Sequence, residues 1–223
     1  MDTKKLLAQL SLCVEKGKIS KDINYPPEMN GQDGASELTM KLLELEVKAD
    51  IILNDGMVPG MNKIGELFSQ GKVFIPSLLT AAKAMNAGLE HIKPYFASGE
   101  IKRKGKFILG TVQGDLHDIG KNLVGFAVEG AGWEVIDLGT NVTAEMFVET
   151  LKAHPTAVVG LSALLTITMT NMKGIIDAIK AHNPNTKVIV GGAPLTQEFS
   201  DDIGADHYSQ NPHHAVLYLK DVA

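Results

Sequence analysis

Hydrophobic residues recur with different periods in the two halves of the chain. From the N-terminus to about residue 97 they are spaced three or four apart, as in the stripe Leu6, Leu7, Leu10 and Val14. No stretch of this half alternates polar and apolar residues with the period of two expected of a half-buried strand. The first half is therefore predicted to be a helical bundle.

Turn and capping residues divide this bundle into four helices. A turn-rich segment at 24–34 follows the first helix, and Ser36 is a suitable N-cap for the second. The Asn-Asp-Gly run at 54–56 is expected to end that helix. Pro59 and Pro76 are then expected to begin the third and fourth helices, because proline is favoured in a first helical turn.

After a linker near 99–105, short apolar runs alternate with segments of helical period. Strands are predicted at 107–112, 133–138, 157–161, 187–190 and 205–208, and helices at 119–131, 144–153, 169–181 and 212–219. Continuous apolar strands joined by helices indicate a parallel sheet covered on both faces. We predict an α/β protein with a helical domain at 1–97 and a doubly wound, parallel five-stranded domain at 98–223.

Composition and charge exclude several classes of function. The 21 basic and 26 acidic residues of the 223 give a net charge of −5, without the basic surface that binds nucleic acid. No apolar run reaches the roughly 18 residues of a membrane span, and the N-terminus does not resemble a signal peptide. Cys13 is the single cysteine, so no disulfide forms within the chain. We expect a cytoplasmic protein without nucleic-acid or membrane partners.

Ligands of open α/β sheets bind at the carboxyl ends of the strands, near the point where strand order reverses. The loops that follow the first, third and fourth predicted strands are 110–122, 160–168 and 191–194. Together they bring a histidine, carboxylates, hydroxyls and a glycine pair to one edge of the sheet. This edge is the candidate binding site.

His117 is the main candidate for a metal ligand at this edge. Asp115 precedes it by two residues and could accept the second ring N–H, an arrangement that orients metal-bound imidazoles. Asp118 is better explained as the N-cap of the next helix, and Gly120 would let a ligand come close. The other histidines offer no zinc-like ligand set, so one imidazole suits a metal carried in by a large cofactor.

Other recognisable sites do not fit these loops. The first strand–helix turn has neither a dinucleotide-binding nor a phosphate-binding glycine pattern. The segment 160–164 lacks the second glycine of the motif that exposes a nucleophilic serine.

The loop after the first predicted strand resembles the signature of a known family. The run at 114–122, Gly-Asp-Leu-His-Asp-Ile-Gly-Lys-Asn, is similar to the D-x-H-x-x-G signature of cobalamin-binding modules. Its extended form occurs in cobalamin-dependent methionine synthase and in small corrinoid proteins of methyltransferase systems. The segment 162–168 resembles the S-x-L element of the family, Gly191 and Gly192 resemble its G-G element, and 56–78 resembles its helical cap.

The resemblance implies a flavodoxin- or Rossmann-like domain that binds cobalamin with its benzimidazole displaced. His117 would ligate the cobalt from below, Asp115 would accept the His117 N–H, and Thr168 would complete the relay where the family usually has serine. The remaining implied cofactor contacts in this domain are Gly114, Leu116, Asp118, Ile119, Gly120, Ser162, Leu164, Thr166, Gly191, Gly192, Ala193 and Tyr208. Side chains of the cap would cover the other corrin face; these are Phe68, Ile75 and Leu78, with Met57 and Met61 nearby.

The function implied by the resemblance is methyl transfer by a corrinoid carrier that alternates between methylcobalamin and cob(I)alamin. The implied partners are a substrate-specific methyltransferase, a second methyltransferase that passes the methyl group to tetrahydrofolate or coenzyme M, and a reductive activator. The chain is too short to carry these activities itself, so we expect a subunit and not a self-sufficient enzyme. Its sequence does not identify the methyl donor.

Three alternatives remain. The D-x-H-x-x-G signature also occurs in the cobalamin module of mutases, although the helical segment with Phe68 and Pro76 argues against that class. A cobalamin-dependent regulator would need a basic DNA-binding segment, and the first 35 residues show none. A flavodoxin-like module without cobalt would be recognised by the absence of a corrinoid spectrum.

Overall fold

In the computed structural model, which describes residues 2–222, the chain divides into two units. The helical unit contains the chain up to Arg103 together with Gly130–Gly132, and the α/β unit contains Lys104–Glu129 and the residues from Trp133 onward. The two terminal residues of the predicted domains, 1 and 223, lie outside the described part of the chain. The predicted boundary between residues 97 and 98 stays a prediction.

The helical unit consists of helices and turns. Its α-helices are α1 (Thr3–Lys16), α2 (Ala35–Glu44), α3 (Ala49–Ile51), α4 (Val58–Ser69) and α5 (Ile75–Ala97), with a 3₁₀ turn at Pro27–Met29 and a π-helical segment at Ile52–Met57. Asp2 caps α1 by accepting the Lys4 N–H, and Gly17 ends it in a left-handed conformation. Within residues 2–222, no helix is both long and apolar enough to cross a membrane.

The start of α2 differs from the prediction that Ser36 is its N-cap. The N-cap is Gly34 and the helix begins at Ala35, two residues earlier than predicted, because the Glu37 carboxylate reaches back to accept the Gly34 N–H at 2.9 Å. The Ser36 hydroxyl is instead 2.8 Å from His91 Nε2, on α5. The Glu37 side chain, three residues into the helix, therefore determines where α2 begins.

The Asn-Asp-Gly run at 54–56 does not end a helix, as predicted, but lies inside the π-helical segment. The Val58 N–H donates to Leu53 O, five residues earlier, so the chain continues from the π segment into α4. A Cβ on Gly56 would stand 2.8 Å from Leu10 Cδ2 of α1. The glycine therefore lies where the π-helical segment packs closely against α1, and not in a turn.

The α/β unit contains one parallel sheet with helices between its strands, which confirms the predicted class. The strands are β1 (Lys106–Thr111), β2 (Glu134–Asp137), β3 (Val158–Ser162), β4 (Val188–Gly191) and β5 (His207–Ser209). The helices are α6 (Ile119–Gly130), α7 (Ala144–Ala153), α8 (Thr166–Met169), α9 (Asn171–His182), α10 (Gln197–Asp202) and α11 (Pro212–Asp221). The strand order is β2-β1-β3-β4-β5, so the order reverses between β1 and β3.

The core of this unit lies between the sheet and its helices. Buried side chains of β1, β3 and β4 pack against Phe147 and Leu151 of α7 and against Ile175 and Ile179 of α9. Because the central strands are buried on both faces, they read as continuous apolar runs. Helix α10, which the sequence analysis did not predict, is short and largely polar.

Gly192 permits the loops that follow β3 and β4 to approach each other closely. Its φ is +141°, a region that side-chain-bearing residues rarely adopt. A Cβ at this position would stand 1.8 Å from Ala163 O, while the Ala163 N–H donates to Gly191 O at 3.2 Å. The glycine therefore keeps two loops of the carboxyl edge together.

Replacing Gly192 with alanine should destabilise the α/β unit by at least about 2 kcal/mol, because the strained backbone and the Ala163 contact both disfavour a Cβ. Urea unfolding followed by the fluorescence of Trp133, the only tryptophan, which lies in this unit, measures the loss. Gly174→Ala is the matched control, since a Cβ there has no neighbour within 4 Å in helix α9. A Gly192→Ala midpoint equal to the wild type would contradict the close-approach argument.

Candidate functional site

The loops after β1 and β3 meet at the point where strand order reverses, and the carboxylate of Asp115 joins them. Asp115 is buried in the middle of the loop between β1 and α6. Its Oδ1 accepts the His117 backbone N–H at 3.1 Å and lies 2.7 Å from His117 Nδ1. Its Oδ2 accepts the Thr168 hydroxyl at 2.6 Å and the backbone N–H groups of Leu164 and Leu165 at 2.8 and 3.3 Å.

These donors keep Asp115 ionised. Burial alone raises the pKa of this carboxyl, but the hydrogen bonds from Thr168, Leu164 and His117 together hold it well below the usual range of an aspartate. An ionised carboxylate only accepts hydrogen bonds, so the short contact to His117 Nδ1 requires the proton on that nitrogen. In the tautomer with this proton on Nδ1, the lone pair of the ring lies on Nε2.

The contact with Asp115 therefore restrains the imidazole of His117. Half of its side chain, 51%, is exposed to solvent, although Asp115 beneath it is fully buried. The His117 carbonyl accepts the Thr111 hydroxyl at 2.8 Å, which ties this residue back to β1. A neutral imidazole with one nitrogen bound to a carboxylate is the usual arrangement of a metal-bound histidine.

The surface around His117 is apolar and exposed. Its large hydrophobic side chains, with 41–75% of their area exposed, are Leu116, Ile119, Leu164, Leu165 and Ile167. The position that a Cβ of Gly120 would take has no neighbour within 4 Å, so the space above it is open. Among residues 2–222 no group of three His, Cys, Asp or Glu side chains could hold a metal ion. One histidine in an apolar surface fits a metal within a broad organic ring better than a free metal ion.

The other residues predicted for this site lie at the same edge but differ in their contacts. Ser162 is half-buried at the end of β3, whereas Thr166 and Ala193 are exposed. Asp118 immediately precedes α6, and its carboxylate accepts the Asn122 side-chain amide at 3.1 Å. The Tyr208 hydroxyl donates to Leu195 O at 2.7 Å, within the protein.

The glycine pair has a structural cause besides its predicted cofactor role. A Cβ on Gly191 would meet Ser209 O at 3.1 Å, and one on Gly192 would meet Ala163 O. Both substitutions would therefore contact protein backbone first. Cofactor contacts of these glycines, and of Gly114, Ser162, Thr166, Ala193 and Tyr208, stay predictions.

The predicted cap residues are described within the helical unit alone. Met57, Met61 and Leu78 are buried, and the Met57 side chain is so close to Gly88 that a Cβ there would stand 2.6 Å from Cε. Phe68 is half-buried and Ile75 is 41% exposed. Their contact with a cofactor stays a prediction.

Two features of the α/β site were not foreseen from the sequence. Asn141, in the loop after β2, bonds to the backbone of the His117 loop, as described below. Lys121 is buried with its ammonium group bound to Asp137 Oδ2 and Asn122 Oδ1. The available signal for Asn141 was that the β2 loop belongs to the same carboxyl edge. Lys121 lies within the run 114–122 that resembles the family signature.

Comparison with known proteins identifies the family of this chain. Two family models, both described as B12 binding domain, match residues 31–93 and 105–217. Dimethylamine corrinoid protein 1 of Methanosarcina acetivorans is 41% identical over 180 residues, which are 79% of this chain and 84% of that protein. A corrinoid protein of Desulfitobacterium hafniense (strain Y51) is 39% identical over 193 residues, 82% of this chain and 89% of that protein.

Solved structures share the fold. A cobalamin-binding protein from Desulfitobacterium hafniense DCB-2 has a TM-score of 0.74 and 30% identity, covering 100% of this chain and 98% of the other. The methanol:cobalamin methyltransferase complex MtaBC of Methanosarcina barkeri has a TM-score of 0.80 at 24% identity, covering 98% of this chain and 79% of that one, and shows the fold alone. With family models over most of its length and relatives of this similarity, the chain belongs to the family of corrinoid proteins built on B12-binding domains.

Proposed function

We propose that this protein binds cobalamin with His117 as the lower cobalt ligand and carries a methyl group between partner methyltransferases. The observation that carries the proposal is the Asp115-bound imidazole in an exposed apolar surface. Bound cobalamin supplies a cobalt ion that can accept and release a methyl group. The protein's own contribution is to bind, orient and shield this cofactor.

Asp115 and Thr168 form a hydrogen-bonded relay behind His117 that would control its strength as a ligand. The Thr168 hydroxyl lies 2.6 Å from Asp115 Oδ2 and 3.0 Å from Leu165 O, and it has one proton for two acceptors. The charged carboxylate is the stronger acceptor, so that proton points at Asp115. Threonine therefore supplies the donor that the family usually takes from serine. The relay strengthens Nε2 as a ligand by keeping negative charge behind Nδ1.

We further propose that the displaced nucleotide tail lies along the loops after β3 and β4. Ser162 and Thr166 would hydrogen-bond it, and Gly191, Gly192 and Ala193 would pass beside it. Gly114, Leu116, Ile119, Gly120 and Leu164 would contact the corrin, with Asp118 and Tyr208 at the margins. The exposure of Leu116 and Ile119, 74% and 63%, supports corrin contact because water is a poor neighbour for such side chains.

The helical domain, proposed as residues 1–97, would cover the upper face of the corrin. Phe68 and Ile75 have apolar surface that a cofactor could bury, and Leu78, Met57 and Met61 would support them. Excluding water and oxidants would protect the reduced cobalt between transfers. The α/β domain, proposed as residues 98–223, would hold the cofactor from below.

The proposed partners are a substrate-specific methyltransferase, a second methyltransferase that uses tetrahydrofolate or coenzyme M, and a reductive activator. Similarity to proteins named dimethylamine corrinoid protein supports a methylamine as the donor class. Because reduced cobalt is lost to oxidants, we propose that the protein works in the cytoplasm.

His117→Ala should still bind cobalamin but lose the histidine ligand. With ¹⁵N-histidine-labelled protein, the cobalt(II) EPR spectrum of the wild type should show the doublet splitting of one ¹⁵N nucleus, and the variant should not. His182→Ala, which removes an exposed histidine at the end of α9, is the control and should keep the doublet. A wild-type spectrum that does not change on labelling would refute ligation by histidine.

Thr168→Val should destabilise the α/β unit by about 2 kcal/mol near neutral pH, because it removes a donor to a buried charge. Thr168→Ser should remain close to the wild type, and Thr170→Val, which removes an exposed hydroxyl, should change stability by less than about 0.5 kcal/mol. Urea unfolding monitored by Trp133 fluorescence measures all three. Equal losses for the Ser and Val variants would contradict the role of the hydroxyl.

The loss caused by Thr168→Val should depend on pH. The folded-state pKa of Asp115 lies below its unfolded value of about 3.9, so ionisation stabilises the fold above that pH, and this contribution disappears as pH falls through the folded pKa. The variant narrows the gap between the two pKa values. The difference in unfolding free energy between wild type and Thr168→Val should therefore shrink below about pH 4. A difference that stays constant with pH would contradict this role of Asp115 ionisation.

Phe68→Ala should speed the oxidation of bound cobalt(I), followed by its absorbance, because it removes proposed shielding. Leu12→Ala removes another exposed apolar side chain of the helical unit, outside the segment that resembles the cap, and should leave the rate unchanged. An unchanged rate in Phe68→Ala would remove this residue from the proposed cap.

A further inference from the structure

The loop that joins β2 to α7, residues 138–143, supports the His117 loop from the side opposite β3. Asn141 lies in this loop with φ of +56°, a left-handed conformation that asparagine adopts more readily than most residues. Its side chain is exposed, so its position is not explained by burial.

Asn141 makes two hydrogen bonds to the backbone of Gly114 and Asp115. Its Oδ1 accepts the Gly114 N–H at 2.8 Å, and its own N–H donates to Asp115 O at 3.0 Å. Gly114 is itself left-handed, with φ of +84°. The two bonds therefore fix the backbone on both sides of the Gly114–Asp115 peptide, the point from which the Asp115 side chain leaves the chain.

The loop that carries Asn141 is firmly attached to the sheet. The Thr111 N–H donates to Gly139 O and the Val142 N–H donates to Thr111 O, each at 2.9 Å. At its base, Asp137 binds the buried ammonium group of Lys121 and accepts the Gly139 N–H at 2.9 Å. Asn141 therefore belongs to a loop that is itself held in place by the sheet.

We propose that Asn141 is a positioning residue for the cobalt ligand: it holds the Gly114–Asp115 peptide so that the Asp115 carboxylate aligns His117. This inference rests on the proposed function, because alignment matters only when Nε2 binds the cobalt. Asn141 acts through Asp115, whose carboxylate also accepts hydrogen bonds from Leu164 and Thr168. The β2 loop positions the backbone of Asp115, and the β3 loop positions its carboxylate.

Two substitutions separate the hydrogen bond from the backbone conformation. Asn141→Gly keeps a residue that accepts a positive φ but removes the oxygen that binds Gly114. Asn141→Asp keeps an acceptor oxygen at the same place in a residue that tolerates this conformation. Asn183→Gly is the matched control, because the Asn183 side chain also accepts a backbone N–H, that of Asn185 at 3.1 Å, in the connection between α9 and β4.

The first measurement uses the cofactor-free protein. Amide hydrogen exchange is followed by NMR at the His117 and Leu164 N–H groups, which both donate to the Asp115 carboxylate. In Asn141→Gly both should exchange about five- to tenfold faster, as expected for the loss of one hydrogen bond. Asn141→Asp and Asn183→Gly should exchange at the wild-type rate.

The second measurement uses protein loaded with cobalamin and labelled with ¹⁵N-histidine. The fraction of cobalt(II) with histidine splitting should fall in Asn141→Gly and be restored in Asn141→Asp. Wild-type exchange and splitting in Asn141→Gly would overturn the inference, as would failure of Asn141→Asp to rescue it, or an equal effect of Asn183→Gly. A wild-type protein without histidine splitting would refute the proposed function instead, and the amide exchange would still decide whether Asn141 positions Asp115.

Discussion

The buried carboxylate of Asp115 is the constraint on which this site depends. A buried charge is strongly unfavourable unless hydrogen bonds replace the water that it has lost. Here its two oxygens receive donors from its own loop and from the loop after β3. Neither loop can move far without leaving the charge unsatisfied, so the folding of one loop depends on the folding of the other.

This constraint explains why an exposed imidazole can still be well oriented. Half-exposed histidines on loops usually sample several rotamers, which weakens them as ligands. His117 is restricted because its Nδ1 proton has a fixed acceptor in Asp115 and because its carbonyl is held by Thr111. The imidazole is thus restrained from the sheet side, while Leu116 and Ile119 beside it remain exposed.

The sequence was most informative where local pattern and final environment agree. Buried parallel strands are apolar throughout, so all five strands and most helices of the α/β half could be placed within a few residues. The helical half was harder, because its deviations depend on tertiary contacts. Gly56 reads as a helix end in sequence, but it is the position where α1 packs against the π-helical segment. The sequence around Gly56 gives no indication of the Leu10 side chain that packs against it.

The same distinction applies to the site. The short spacing between Asp115 and His117 is visible in sequence, and the motif brings Thr168 with it by resemblance. Asn141 is separated from Gly114 by a whole helix and strand, and its role depends on a left-handed conformation that only the folded loop shows. Lys121 was equally hidden, because a lysine within the first turn of a helix normally reads as a solvated residue.

Contacts between neighbouring loops follow the order of the strands across the carboxyl edge. The β2 loop binds the β1 loop through Asn141 and Gly114, and the β1 loop binds the β3 loop through Asp115 and Thr168. The β3 loop meets the β4 loop where Ala163 lies against Gly192. Each loop is thus stabilised by its neighbour. A single loop of this length would not be stable alone, because few of its groups are buried. The geometry of His117 is therefore a property of the whole edge, and residues that do not contact the imidazole can still determine how it is oriented.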